Sequence, residues 1–296
     1  MATIIVAGAT GDLGGLITQS LIARGATVRA LVRDDASASV RAQVGAMGAA
    51  AVPVDFASVP ALAEACAGGD CVVSALSGLE PVIVGVQGRL LDAAVAARVP
   101  RFIPSDFSID YTRLAVGANR NFDLRRAFRE RADAAPIGVT SIFNGAFADM
   151  LVGQMPLIVR PLHRVLYWGN ADQRFALTTK DDTAAFTAAA ALDPTTPRDL
   201  HIAGTDASVR DLARMMTEVS GRRYRPLRAG SLRGLARLIA VTRRIAPQLT
   251  AVFPAWQGMQ YLHNMFEGRA PSAPTDNARY PDLAWTDLRT VLARIG

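Results

Sequence analysis

Residues Ala2–Gly25 read ATIIVAGATGDLGGLITQSLIARG. The apolar run Ile4–Ala7 stops at Gly8. From Leu13 the apolar positions change period, because Leu13, Leu16, Ile17, Leu21 and Ile22 fall on one face of a helix. Strand, glycine turn and helix together form the context that a dinucleotide-binding glycine motif requires. Gly8 allows the tight turn, Gly11 lets the backbone approach a pyrophosphate, and Gly14 lets the helix pack close to the strand. The free N–H groups and positive dipole end of that helix then face an anion.

The rest of the composition suits an enzyme-sized α/β chain. Of 296 residues, 50% are hydrophobic, enough for a sizeable core in one large domain or a large domain with a smaller partner. No apolar run approaches the length of a membrane span, and the N-terminus has no basic n-region. Cys66 and Cys71 read as buried thiols of a reducing compartment, so the expected location is the cytoplasm. The charge balance is 32 basic to 26 acidic residues, nearly all of the former arginine; Lys180 is the only lysine. That charge is spread along the chain, whereas nucleic-acid binding needs a clustered stripe, so no nucleic-acid partner is expected. No membrane partner is expected either, and the assembly is read as a monomer or homodimer.

Beyond the first helix, strands and helices alternate. Thr27–Val32 reads as a second strand, Ser37–Gly48 as a helix and Ala51–Phe56 as a third strand. Val59–Ala67 is a helix, Asp70–Leu76 a fourth strand, and Pro81–Val99 one long helix carrying Gln87. Arg101–Pro104, the helix Arg120–Arg131 and the strand Gly138–Phe143 follow. This order predicts a Rossmann-type, doubly wound parallel sheet with a smaller C-terminal substrate domain. The nucleotide-binding part is placed at 1–143, with strands from about 165–203 returning to it, and the substrate part at 144–296. Ligands belong beyond the carboxyl ends of the strands. Arg33, ending the second strand, is placed to pair with a ribose 2′-phosphate and favours NADP(H); Asp34 would serve NAD(H), which stays possible. Asp55 and Phe56 end the third strand, where the adenine lies. Ser74, Ala75 and Leu76 form a small-residue turn that leaves room for the centre of the cofactor.

The second half is less regular. Short strands are expected at His163–Trp168, Arg174–Thr178 and Leu200–Ala203, and helices at Asp181–Leu192, opened by Thr179, and Val209–Ser220. Arg222–Pro247 reads as basic and mostly helical, with Leu232, Leu235, Leu238 and Ile239 on one face and Arg233 and Arg237 off it; a solvated charged face on a packed helix is the reading taken over a membrane-surface role. Ala251–Arg269 is rich in aromatic residues and methionine, suited to an apolar pocket or to core.

Several chemistries are absent. A Tyr-x-x-x-Lys pair cannot occur, because Ala176 stands four residues before Lys180. His163, His201 and His263 are too far apart for metal-ligand spacing; His263 and Glu267 alone are too few ligands. Each histidine reads as structural or surface. No Gly-x-Ser-x-Gly elbow is present.

A set of segments, in order, carries a family likeness: GATGDLGG (Gly8–Gly15), ALVRD (Ala30–Asp34), RVPRFIPSDF (Arg98–Phe107), NFDLRRAFRE (Asn121–Glu130), GVTSIFNGAFADML (Gly138–Leu151), TTKDDTAAFTAAAALDP (Thr178–Pro194) and ARYPDLAWTDL (Ala278–Leu288). In these the chain resembles the NmrA-like atypical short-chain dehydrogenases, which include the isoflavone reductase-like and phenylcoumaran benzylic ether reductase-like enzymes. The resemblance implies that Thr10, Gly11, Asp12 and Leu13 cradle the pyrophosphate, and that Arg33 takes the 2′-phosphate. It further implies that Asn144 and Gly145 meet the nicotinamide end, and that Phe107, Tyr111, Phe147, Trp256 and Tyr261 line the substrate pocket. The family's reductases place a general acid/base lysine one turn before paired arginines. Here the arginines are Arg125 and Arg126, and the matching position is Asn121, which cannot trade a proton at neutral pH. Three alternatives stay open. Asn121 polarises or holds a group while water, Tyr111, Asp106 or Tyr167 gives the proton; or the substrate needs no protein acid; or the protein is a non-catalytic NADP(H) sensor acting through a protein partner. The reading carried forward is an NADPH-dependent oxidoreductase acting on a small apolar, aromatic or conjugated molecule such as a quinone, enone, imine or carbonyl.

Overall fold

The structure, a computed structural model, describes residues 1–270 and 275–295. The chain forms two compact units. The first comprises residues 1–107, 124–142 and 183–200, and the second comprises 108–123, 143–182 and 201–296.

The first unit opens with β1 (Thr3–Ala7), α1 (Asp12–Ala23), β2 (Thr27–Arg33), α2 (Ala38–Ala46) and β3 (Ala50–Val54). It continues through α3 (Val59–Cys66), β4 (Cys71–Ser74), a π-helical turn (Pro81–Val86), α4 (Gln87–Ala96) and β5 (Arg101–Ile103), with α5 (Arg120–Asp133) leading to β6 (Gly138–Val139). The strands form one six-stranded parallel sheet in the order β3-β2-β1-β4-β5-β6. The order reverses between β1 and β4, which is where a doubly wound sheet opens its ligand crevice. β1 is flanked on both sides, and Ile4, Ile5, Val6 and Ala7 are all wholly buried. A parallel sheet covered on both faces demands such a continuous apolar run rather than an alternating one. Ile5, Leu31, Leu62, Leu90, Leu91, Phe102 and Phe128 build the core on one face.

Two sequence expectations are corrected here. Pro81–Val99 is not one α-helix: its first part is the π-helical turn, and Gln87 at the junction is wholly buried, its Nε2 donating to Ile83 O at 3.3 Å. Gly138–Phe143 is not one strand either. Thr140 N–H donates to Phe102 O, as β6 does, but Ser141 N–H donates to Arg198 O instead. β7 (Ser141–Phe143) thus leaves the main sheet and pairs elsewhere.

The chain continues through β8 (Ala146–Phe147), β9 (Ile158–Val159), β10 (Arg164–Trp168), β11 (Arg174–Thr178) and α6 (Lys180–Leu192). It then runs through β12 (Asp199–His201), β13 (Thr205–Ser208), α7 (Val209–Ser220), β14 (Arg225–Gly230), α8 (Leu232–Ile245), α9 (Ala255–Glu267) and α10 (Leu288–Ala293). The second unit contains two three-stranded sheets, β14-β10-β9 and β13-β11-β8. Its core gathers Leu157, Val165, Phe175, Leu177, Leu212, Met216, Phe266, Val291 and Leu292. α7 starts with a capping box, Ser208 and Asp211 each bonding the other's backbone N–H, and ends at Gly221 in the left-handed region. β14 corrects the helical expectation for the start of Arg222–Pro247. RPLRAG has neither the alternation nor the propensity of a strand, and only its parallel pairing with β10 makes it one. The packed face of α8 is also narrower than expected. Leu235 is buried and Leu232 and Ile239 lie against the core, but Leu238 is 51% exposed. Among the described residues no helix is long and apolar enough to cross a membrane.

Candidate functional site

In the first unit the glycine turn is shaped by backbone contact. Gly8 has φ +89, and a Cβ there would stand 2.7 Å from Ala75 O. A Cβ on Gly14 would stand 2.0 Å from Gly8 O and 3.2 Å from the Ala75 Cβ. The turn, the first residues of α1 and the Ala75–Leu76 segment after β4 are therefore pressed together, with no room for side chains. Gly11 N–H donates to Gly8 O at 3.0 Å, and Gly11 is the N-cap of α1 without any side-chain cap. Thr10 and Asp12 are exposed beside it and Leu13 is half-buried. An uncapped helix start at the sheet's point of reversal, with no Cβ in the approach, fits a pyrophosphate. Ser74, at the end of β4, is wholly buried, and its Oγ has no hydrogen-bond partner among the described residues.

Arg33 ends β2 with an 80% exposed side chain, its ion pair among the described residues a 3.6 Å contact with the similarly exposed Asp35. A pair so exposed holds the guanidinium weakly, which leaves it available to a phosphate. β2 and β3 are in register with Arg33 opposite Val54, so Asp55 and Phe56 follow directly. Asp55 accepts from Ala57 N–H in the turn, and Phe56 O accepts from Arg89 Nε at 2.8 Å. Ser105 forms a junction that the sequence did not announce. Its Oγ donates to Leu76 O, its N–H donates to Gln87 Oε1, and its carbonyl accepts from Arg125 Nε. The buried Gln87 and the first of the paired arginines thus fix the turn after β4. Asp106, named above as a proton donor, is wholly buried and accepts from Ser141 Oγ at 2.6 Å, while Arg198 donates to that same oxygen. This makes it a strut within the first unit. Phe107 is buried as well.

The second unit holds the other candidates. Asn119 caps the start of α5, its Oδ1 accepting from the N–H groups of Asn121 and Phe122 and from Gln257 Nε2. Asn121 is only 2% exposed. Its Nδ2 donates to Val252 O at 3.0 Å and to the Tyr261 hydroxyl at 3.1 Å, and its Oδ1 accepts from Arg120 Nε at 3.1 Å. The Tyr261 ring is held edge-on by Phe122, with centroids 5.0 Å apart, and flanked by Phe253 at 6.4 Å. Tyr111 is wholly buried between Phe122 and Phe143. Asn121, Tyr111 and Tyr261 are therefore brought into one aromatic and amide cluster. Trp256 is wholly buried, donates to Pro247 O, and lies under the guanidinium of Arg120 on one contact and Arg243 on another. Tyr167 packs against the main core of the unit rather than the Asn121 cluster. Phe147 is half-buried on β8. Gly145 has φ +71, and a Cβ there would clash with Ala176 at 2.4 Å. Beside it Asn144 is wholly buried with neither amide atom hydrogen-bonded among the described residues.

One acid–base pair was missed, because its members lie 91 residues apart. Asp110 Oδ2 is 3.2 Å from His201 Nε2 and 3.1 Å from Arg113 Nε, and Oδ1 accepts from Thr112 N–H. Both residues border a cavity of about 20 Å³ shared with Ile109, Phe143, Gly145 and Asn264, room for about one water. Burial alone would raise the Asp110 carboxyl, but the hydrogen bonds from His201 and Thr112 outweigh it and hold the group well below the usual carboxylate range. A carboxyl lowered in the folded state stabilises the fold above its unfolded pKa of about 3.9 and loses that contribution as pH falls through the folded value. Asp110→Asn is therefore expected to lower unfolding free energy at pH 7 by about 1.5–3 kcal/mol, with the gap to wild type closing below about pH 4. Urea melts at pH 7 and at steps below about pH 4 check this; a gap that stays constant as pH falls toward the folded value refutes it. Among the described residues no cluster of three or more His, Cys, Asp or Glu is placed to hold a metal ion.

Residues 1–267 match the profile of the NmrA-like family. Among curated proteins, pinoresinol reductase 1 of Arabidopsis thaliana is 29% identical over 207 residues, a match spanning 65% of this chain and 65% of that protein. Two solved structures superpose along nearly the whole chain. One is AtPrR2 with NADP+ and (+)pinoresinol, with a TM-score of 0.84 at 22% identity over 100% of this chain and 99% of that one. The other is the binary complex of leucoanthocyanidin reductase and NADPH from Vitis vinifera, with a TM-score of 0.81 at 18% identity and 99% of each chain covered. At these identities the superpositions speak for the fold.

Proposed function

The chain belongs to the NmrA-like family, and we propose that it is an NADPH-dependent reductase of a small apolar, aromatic or conjugated molecule that works without an acid/base lysine. The first unit is the nucleotide-binding part and the second the substrate-binding part. The observation that carries the reading is the Gly8–Gly14 cradle with its uncapped helix start. NADP(H) fits it, and two solved relatives of the same fold are complexes with NADP+ or NADPH. The first N–H groups of α1 hold the pyrophosphate, Gly11 leaving the approach open, Arg33 holds the 2′-phosphate, and Ser74 Oγ gains a partner from the bound cofactor.

When bound, NADPH supplies a hydride; the protein must supply orientation, exclusion of water and a proton. Asn121 cannot give that proton, since its amide is committed to Val252 O and Tyr261. Tyr261 is the group it leaves competent. The hydroxyl accepts from Asn121 Nδ2, so its own proton remains to be donated, and the ring is fixed by Phe122. Tyr261 is the proton donor of the proposal, and Asn121 the residue that positions it.

The test is to incubate purified protein with NADPH and a panel of quinones, enones, imines and aldehydes, following loss of nicotinamide absorbance. Tight NADPH binding with no turnover across the panel sinks the reductase reading and favours a cofactor sensor. A second measurement addresses the cofactor alone. Arg33→Ala is expected to weaken NADPH binding roughly ten- to hundred-fold, the loss of a charged hydrogen bond, and to leave NADH unchanged in calorimetric titration. Equal loss for both cofactors refutes the 2′-phosphate assignment.

A further inference from the structure

Between Glu218 and Glu267 the chain contains no acidic residue but eight arginines: Arg222, Arg223, Arg225, Arg228, Arg233, Arg237, Arg243 and Arg244. That stretch thus takes eight of the chain's 32 basic residues and none of its 26 acidic ones. What the fold adds is an apolar row beside that charge. At 100° per residue Leu238, Val241 and Ile245 share one side of that helix, and all three are exposed, Ile245 by 75%. Leu249 and Phe253, in the segment that follows, are exposed by 64% and 65%. Arg233, Arg237 and Arg244 fall on the flank of this row, and no carboxylate among the described residues pairs with them or with Arg228. The buried stripe of α8, Leu232, Leu235 and Ile239, already packs on the unit's core, so the second apolar row is in excess of what folding uses.

We propose that α8 and the segment through Phe253 dock on an anionic phospholipid surface. An apolar row bordered by arginines, on a helix whose other face is anchored, is the arrangement that seats side chains at the acyl boundary while the guanidinium groups meet lipid phosphates. A second copy of the chain is the poorer occupant. A two-fold contact would lay this acid-free stretch on itself and set arginine against arginine. A nucleic acid would satisfy the charge but would leave Leu238, Val241, Ile245 and Phe253 without an apolar partner.

The docking stands independently of the reductase reading and is tested on the full chain by flotation with vesicles. Those of phosphatidylcholine with about 30% phosphatidylglycerol are expected to carry the protein, and pure phosphatidylcholine is not. Raising salt from about 0.1 to 0.5 M should release it, since surface charges are screened. Each of Arg233→Gln, Arg237→Gln and Arg244→Gln is expected to weaken partition roughly five-fold, and the triple variant on the order of a hundred-fold. Leu238→Ser with Ile245→Ser should weaken it by at least about ten-fold. All five side chains are exposed, so unchanged melting temperatures certify the fold. Recovery that is the same with both vesicle types overturns the proposal. So does full vesicle binding by the Leu238→Ser, Ile245→Ser variant, which would mark a purely electrostatic surface for an acidic protein or a nucleic acid. A dimer in sedimentation that the same double variant dissociates overturns it in favour of self-association.

Discussion

Gly14→Ala is expected to damage fold and cofactor binding together, whereas Gly11→Ala, three residues away, is expected to damage binding alone. The difference follows from what each new Cβ meets. At Gly14 it would sit 2.0 Å from Gly8 O and 2.7 Å from Gly8 C, both backbone atoms of a turn whose own φ is +89. No rotamer change relieves a clash between two main chains, so α1 must move off β1. Overpacking of this kind costs about 3 kcal/mol or more, which for a chain of this size lowers the melting temperature by roughly 6–12 °C. At Gly11 the new Cβ would sit 3.4 Å from Gly8 O, an ordinary contact, in an extended conformation open to any residue. The change in stability there should stay below about 1 kcal/mol. The methyl would nonetheless stand at the uncapped helix start where a pyrophosphate must come close, so NADPH affinity should fall by about ten-fold or more. Melting curves and calorimetric titration of the two variants check both halves. A Gly14→Ala protein that melts with wild type refutes the packing argument. A Gly11→Ala protein that binds NADPH normally refutes the anion approach.

What the sequence revealed and what it concealed follow from the range of the interactions involved. The glycine turn is local: its residues lie within one loop, and strand, turn and helix change period in view. The parallel, doubly wound sheet was legible for the same reason, since strands alternating with helices at short spacing can pair in parallel only through helical crossovers. Gln87, Ser105 and Arg125 were not legible as a unit, because three separate elements bring them together around one carbonyl and one amide. His201 looked structural because Asp110 is remote from it in the chain. β14 was hidden by its composition, and its strand character comes entirely from β10. Asp106 was read for its chemistry alone, because the serine whose hydroxyl it accepts from, Ser141, stands 35 residues away in the chain. Asn121 was legible as a departure from the family pattern. Its consequence was not, because the carbonyl and hydroxyl that its amide serves come from residues 252 and 261.

The largest expected loss of activity is at Tyr261. In Tyr261→Phe the ring contacts with Phe122 and Phe253 survive, and the fold loses only one acceptor for the Asn121 amide, which keeps Val252 O. Stability should therefore fall by about 1 kcal/mol, and NADPH affinity should not change. Turnover of an enone or carbonyl, whose reduced oxygen or carbon must be protonated as charge develops, should fall by a factor on the order of 10² to 10⁴. The loss should appear equally in kcat and kcat/KM, the mark of an interaction made only in the transition state. A quinone, whose reduced form is stable enough to collect its protons from water, should suffer far less. Asn121→Leu removes the donor that fixes the hydroxyl and leaves the hydroxyl itself, so its loss should be smaller and should share the same dependence on substrate. Three readouts thus separate a proton donor from a packing residue: the kcat and kcat/KM pattern, the contrast between carbonyl and quinone, and intact cofactor binding. Tyr261→Phe turning over an enone within about three-fold of wild type would reduce Tyr261 to part of the aromatic wall, and the proton would then have to come from water.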